Sequence, residues 1–126
     1  MSKAILVLVL MILCHLIADY PLQGWLAQAK QKKYWEVYDE MYQHDYISAL
    51  VCHSVMWSIM MFTPIMWASY NELNFLWIML PANIFVHYFV DNLKANEFKI
   101  NLIVDQLIHL GQIVVTWLIW LFILVL

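Results

Sequence analysis

The stretch that decides the fold is residues 100–126, INLIVDQLIHLGQIVVTWLIWLFILVL. It is longer than the roughly 20 apolar residues that an α-helix needs to cross a bilayer, and it lacks the period of two that marks a half-buried strand. Three further apolar segments precede it, at residues 4–22, 47–70 and 73–95. They belong to a chain of 126 residues that is 65% apolar and 12% charged, where soluble domains carry roughly 25% charge. A small water-soluble domain exposes too much surface for that composition, and a disordered chain would be polar and highly charged. The sequence therefore predicts an all-α integral membrane four-helix bundle. It forms a single transmembrane domain over residues 1–126, with spans at 4–22, 47–70, 73–95 and 100–126.

Between the first two spans lies an interfacial segment, residues 23–46. It holds Lys30, Lys32, Lys33, Glu36, Asp39, Glu40 and Asp45 among the aromatics Trp25, Tyr34, Trp35, Tyr38, Tyr42 and Tyr46. That mixture predicts an amphipathic loop or helix at headgroup level. The other links, at 71–72 and 96–99, are short, which makes neighbouring helices antiparallel. Pro64 and Pro81 fall inside spans, where neighbouring helices can satisfy the freed carbonyls. No small-residue cleavage site follows residues 4–13, so the first apolar run reads as a retained span. With four spans, Lys30, Lys32, Lys33, Lys94 and Lys99 share one membrane face and Lys3 has the other. The positive-inside rule then predicts the loop face in the cytoplasm and both termini outside. There is no basic tract, which argues against a nucleic-acid partner. Cys14 and Cys52 make no disulfide framework and read as packing residues.

Ionisable residues inside a bilayer are costly and mark functional sites. Here they are patterned: His15 and Asp19 in the first span, His53 in the second, His87, Asp91 and Lys94 in the third, Asp105 and His109 in the fourth. Each His/Asp pair is spaced i, i+4 and shares a helix face. At 1.5 Å per residue, His15, His53 and His87 all lie about 10 Å from the loop end of their helices, with His109 somewhat deeper. The motif runs His-then-Asp in spans heading toward the loop face and Asp-then-His in the span heading away. The spatial order is thus the same, with every Asp nearer the loop face.

Four imidazoles and three carboxylates converging in one layer need protons, partners or metal. The chain has no Arg, and Lys94 is the nearest cation. The mixed donors His15, Asp19, His53, His87, Asp91, Asp105 and His109 suit one or two divalent transition metals, with Zn expected first and Fe, Mn or Ni as alternatives. Seven candidates exceed a closed four-ligand site, so a carboxylate can be spared as base; Asp105, nearest the mouth, is the candidate. Asn83 and Gln112 are spaced to support the ligands from the site face. Gln23, Lys30 and Lys94 lie where they can receive an anionic substrate group. A site under one leaflet suits a phospholipid or lipid-linked phosphate, and hence a membrane-embedded metal-dependent hydrolase.

Two other functions use the same residues. A proton or divalent-cation transporter would pass its cargo along the His/Asp cluster. A non-catalytic membrane factor would use it as a structural metal clamp, with every coordination position filled by protein. The plain alternative is a hydrogen-bonded His/Asp network that glues the helices, although intramembrane hydrogen bonds are too weak to need so many. His44 and Asp45 read as a solvated face, and the eight Met as core filler. A homo-oligomer is compatible with all of these.

These residues resemble an uncharacterised family of small bacterial and phage integral membrane proteins. Its pattern is H-L-x-x-D-[FY]-x-L-Q, an isolated His, H-x-x-x-D-x-x-K and D-Q-x-x-H. The chain matches in order with His15-Leu16-Ile17-Ala18-Asp19-Tyr20-Pro21-Leu22-Gln23, then His53, then His87 to Asp91 and Lys94, then Asp105-Gln106-Leu107-Ile108-His109. The pattern is similar to that of membrane-bound metal-dependent hydrolases. The resemblance implies a metal site on the seven His and Asp residues and a location in the bacterial inner membrane.

Overall fold

A computed structural model describes residues 2–69 and 74–125. The described residues are all helical apart from turns, with no strand. Four long helices, α1 (Lys3–Asp19), α4 (Asp45–Ala68), α5 (Asn74–Ala95) and α6 (Leu102–Val125), are joined by two four-residue helices, α2 (Leu26–Ala29) and α3 (Lys32–Trp35), and a 3-10 turn (Glu40–Tyr42). Asp45–Ala68 with the turn before it, and Leu102–Ile123, are apolar and long enough to cross a membrane. The expected link at 71–72, and the span ends at Tyr70, Leu73 and Leu126, lie outside the described residues.

Local chemistry sets the ends. The Ser2 hydroxyl accepts from the Ile5 amide at the start of α1. That helix stops at Asp19 rather than running to residue 22, because Pro21 has no N–H with which to continue it. Gly24, at φ 49°, then turns the chain back toward the bundle, a conformation that costs glycine little. Asn101 caps α6 by accepting from the Val104 amide at 2.9 Å. Pro64 and Pro81 sit inside unbroken helices.

The long helices close a ring, α1 against α4, α4 against α5, α5 against α6 and α6 against α1. Neighbours are antiparallel. The Lys3 ammonium donates to the Ala68 carbonyl at 2.8 Å, and the Trp117 indole to the Ala4 carbonyl at 2.9 Å. At that end the core is apolar: Val7, Met11, Met61, Phe62, Ile65, Ile113 and Trp120. At the other end the buried His and Asp residues lie among Ala18, Leu50 and Val90, and along the bundle Phe85, Phe89, Leu107, Val115, Leu118 and Phe122 face outward.

The segment between α1 and α4 is a folded strap, not one amphipathic helix. Its aromatics pack on one another, Trp25 edge to face with Tyr34 and Trp35, and Tyr34 tilted against Tyr38. The strap is latched to the end of α5 through Asn96, which accepts from the Lys32 amide at 2.6 Å and donates to the Lys30 carbonyl at 3.1 Å. Both connections at this end therefore touch.

Candidate metal centre

Each long helix brings its ionisable residues to the polar end. Asp19 closes α1, His53 lies two turns into α4, and Asp91 follows His87 by four residues on α5. Asp105 and His109 lie one turn apart near the start of α6. The short 96–101 turn folds α6 back along α5, so Lys94 meets Asp105 at 2.5 Å. All seven His and Asp residues are at most 4% exposed.

Six of them form three overlapping groups whose donor atoms lie within 4.8 Å of one another: Asp19–His53–His87, His87–Asp91–His109 and Asp19–Asp105–His109. His53 Nε2 is 3.2 Å from Asp19 Oδ1 and 3.4 Å from Asp91 Oδ2. His109 Nε2 is 3.5 Å from Asp91 Oδ1 and 3.4 Å from Asp105 Oδ1. Two ligands of a tetrahedral ion bound at about 2.1 Å stand about 3.4 Å apart. Beneath them a stack fixes the rings: Trp57 on His87 and His87 on His109, each at 4.2 Å between centroids.

The donors fit a transition metal. Both ring nitrogens of His87 and of His109, with Asp91 Oδ1 and Asp105 Oδ1, are buried and have no hydrogen-bond partner. Such groups are costly to bury, and imidazole nitrogens set among carboxylates could hold a cation. Nitrogen and oxygen donors together suit Zn, Fe, Mn or Ni rather than Ca or Mg.

His15 joins the layer in a different role. The Trp57 indole donates to its Nδ1 at 2.8 Å, so Nε2 carries the proton and donates to Gln106 Oε1 at 3.1 Å. With both nitrogens engaged, His15 stands outside all three groups. The Gln106 amide then donates to Asp19 Oδ2 at 2.7 Å and Asp105 Oδ2 at 3.1 Å. Trp57 and Gln106 are site residues to which the sequence alone assigns no role. Gln106 is nevertheless the Gln of the D-Q-x-x-H pattern, whereas nothing distinguishes Trp57 among seven tryptophans.

The residues expected around the ligands divide. Gln23 donates to the Asp19 carbonyl. Lys94 stays at the rim, its side chain 25% exposed. Lys30, expected at the entrance, is instead 4% exposed and inserted into the layer, 2.6 Å from Asp91 Oδ2. The strap carries it there, because the Asn96 latch pins its backbone. Asn83 and Gln112 do not touch the ligands. They hydrogen-bond to each other at 2.7 Å, and Asn83 bonds Thr116 at 3.1 Å. A helix turn of offset sends both amides to a second polar cluster between α5 and α6.

A family model described as "Protein of unknown function (DUF3307)" matches residues 7–125, and the chain belongs to that family. No curated protein and no solved structure matches the chain.

Proposed function

Starting from membership of that uncharacterised family, we propose that the chain is a membrane-embedded metal-dependent hydrolase acting on a phospholipid or lipid-linked phosphate. The observation that carries this reading is the pair His87 and His109, fully buried beside carboxylates with no hydrogen bond to any ring nitrogen. In this reading all four long helices span the bacterial inner membrane. Their outward apolar side chains, Phe85, Val115 and Phe122 among them, meet lipid, and the buried polar residues stay inside. The strap lies on the cytoplasmic face, where the lysines concentrate, and the termini are outside.

A bound divalent cation supplies Lewis acidity to a water and to the scissile group. The protein does the rest. The cation would be held by His and Asp side chains of one of the three groups, which draw on two or three of the long helices each. A carboxylate outside its coordination accepts the proton of the attacking water. Lys94 at the rim, with the exposed Lys32, Lys33 and Lys99 nearby, draws an anionic headgroup toward the layer. A site just under one face lets the acyl chains remain in lipid while the headgroup reacts. Transport along the same residues has less support, because Met11, Met61, Phe62 and Ile113 pack the bundle beyond the layer.

Every one of the three groups contains His87 or His109. The double variant His87→Ala/His109→Ala is therefore expected to lose all bound metal in detergent. It is also expected to lose the hydrolysis that wild type shows against a panel of phospholipids and polyprenyl phosphates, an activity abolished by a chelator and restored by metal. Stoichiometric metal retained in the double variant overturns the site. Metal bound by wild type with no cleavage of any panel member overturns the hydrolase and leaves a structural clamp.

A further inference from the structure

The three groups share members in a particular way. Asp19–His53–His87 and His87–Asp91–His109 have His87 in common. His87–Asp91–His109 and Asp19–Asp105–His109 have His109 in common. Asp19–His53–His87 and Asp19–Asp105–His109 have Asp19 in common. A shared residue decides whether two groups can be filled together. A neutral imidazole offers one lone pair and serves one ion. A carboxylate has two oxygens and about four lone-pair sites, so it can serve two. Of the three pairings, only the one joined through Asp19 can hold two ions at once.

The bonds around Asp19 agree. Its Oδ1 faces His53 at 3.2 Å, the member unique to one group. Its Oδ2 takes the Gln106 amide at 2.7 Å, and the same amide bonds Asp105 Oδ2, the member unique to the other. The two oxygens thus have different neighbours, His53 on one and, on the other, the Gln106 amide that also serves Asp105. The carboxylate left over is Asp91, whose lysine is buried with it, Lys30 at 2.6 Å, whereas the lysine beside Asp105, Lys94, reaches in from the rim.

We propose that the layer is a two-ion centre in which Asp19 bridges one divalent transition metal held by His53 and His87 and a second held by Asp105 and His109. The inference rests on the metal site proposed above and fixes its nuclearity. Asp105 becomes a ligand, and Asp91 becomes the spare carboxylate, reversing the expectation drawn from depth alone. Charge points to the substrate. Two divalent ions and Lys94 face two ligand carboxylates, and the surplus of positive charge is met by an anionic group lying between the ions. A phosphate ester provides one, with an oxygen for each metal.

Mn2+ makes the test readable, since two ions sharing a carboxylate couple their spins and isolated ions do not. Purified protein in detergent is loaded with Mn2+, freed of excess, and examined by elemental analysis and electron paramagnetic resonance. Wild type is expected to hold two Mn per chain with an exchange-coupled spectrum, and the double variant Lys30→Met/Asp91→Asn, which removes the buried pair without stranding a charge, to match it. Asp19→Asn is expected to lose the coupled signal. His53→Gln and His109→Gln, which remove opposite ions, are each expected to keep one uncoupled Mn; they carry the test if Asp19→Asn fails to fold. One Mn per chain in wild type, two uncoupled Mn, or coupling lost in Lys30→Met/Asp91→Asn but kept in Asp19→Asn overturns the two-ion centre and leaves a metal site standing. No Mn and no Zn bound by wild type overturns both proposals.

Discussion

Two polar clusters lie inside this bundle, and they are built on opposite principles. The Asn83–Gln112–Thr116 cluster closes on itself. The Asn83 amide donates to the Met79 carbonyl and to Thr116, the Gln112 amide gives both hydrogens to Asn83, and Thr116 donates back to Asn83 Oδ1. Every donor in it is used, and one acceptor, Gln112 Oε1, is left over. The His/Asp layer nearer the strap leaves four ring nitrogens and two carboxylate oxygens without a hydrogen-bond partner, although His109 Nε2 lies 3.4–3.5 Å from both of those oxygens. It also holds three carboxylates, against two lysines that reach them. Polar groups that satisfy one another hold helices together and need nothing else. A cluster of buried groups without hydrogen bonds has donor atoms open to a cation, which is the basis of the metal centre proposed above.

The largest expected effect attacks the charge balance of the layer. Lys30 is an internal counter-ion, and removing its ammonium leaves Asp91 buried and uncompensated. Breaking a buried pair from one side typically costs about 3–5 kcal/mol. Lys30→Met is therefore expected to lower the thermal midpoint in detergent more than any single substitution in the amide cluster. Adding Asp91→Asn removes the stranded charge, and the double variant is expected to recover most of the loss. A Lys30→Met protein as stable as wild type would show that Asp91 does not depend on this lysine, and the contrast between the clusters would weaken.

The sequence carried much of this because helix geometry is rigid. Four apolar runs of bilayer length leave little choice of secondary structure, and i, i+4 spacing forces His87 and Asp91, or Asp105 and His109, onto a common face. The reversal of the motif with chain direction fixed the depth of the layer. What escaped depends on helix rotation and on loop paths, which no periodicity encodes. Trp57 reaches His15 because α4 turns that face toward α1. Lys30 reaches Asp91 because a strap of two single-turn helices is pinned by Asn96, and strap and latch lie 66 residues apart in the chain. Asn83 and Gln112 share the face of the ligands on their own helices, but the vertical offset of α5 and α6 turns them toward each other.

A smaller effect tests whether orientation matters within the layer. The Trp57 indole N–H fixes the tautomer of His15, which fixes which end of the Gln106 amide faces Asp19 and Asp105. Trp57→Phe removes that donor and keeps an aromatic ring beneath His87. His15 is then free to take the other tautomer, and a reversed Gln106 would turn its oxygen on two carboxylates. Losing partners that orient ligands typically weakens metal binding 10- to 100-fold. The expected outcome is a Mn2+ dissociation constant raised by about that factor with metal stoichiometry unchanged. An unchanged constant would reduce the Trp57–His15–Gln106 chain to packing.

The smallest effect belongs to the self-satisfied cluster and sets the scale for the rest. Thr116→Val deletes a hydroxyl at nearly constant volume in a residue 1% exposed. It removes one donor to Asn83 Oδ1, which still receives Gln112, and one acceptor for the Asn83 amide, which still reaches Met79. Hydrogen bonds between helices inside a membrane average about 0.6 kcal/mol, because the separated helices find other partners. The variant should lose no more than about 1 kcal/mol on that scale, and it should bind metal as wild type does. Loss of metal on this substitution would mean that the two clusters communicate, and that the deeper one also serves the centre. Unaltered metal with a barely shifted midpoint would keep them apart: one cluster that holds α5 to α6, and one whose open valences are its purpose.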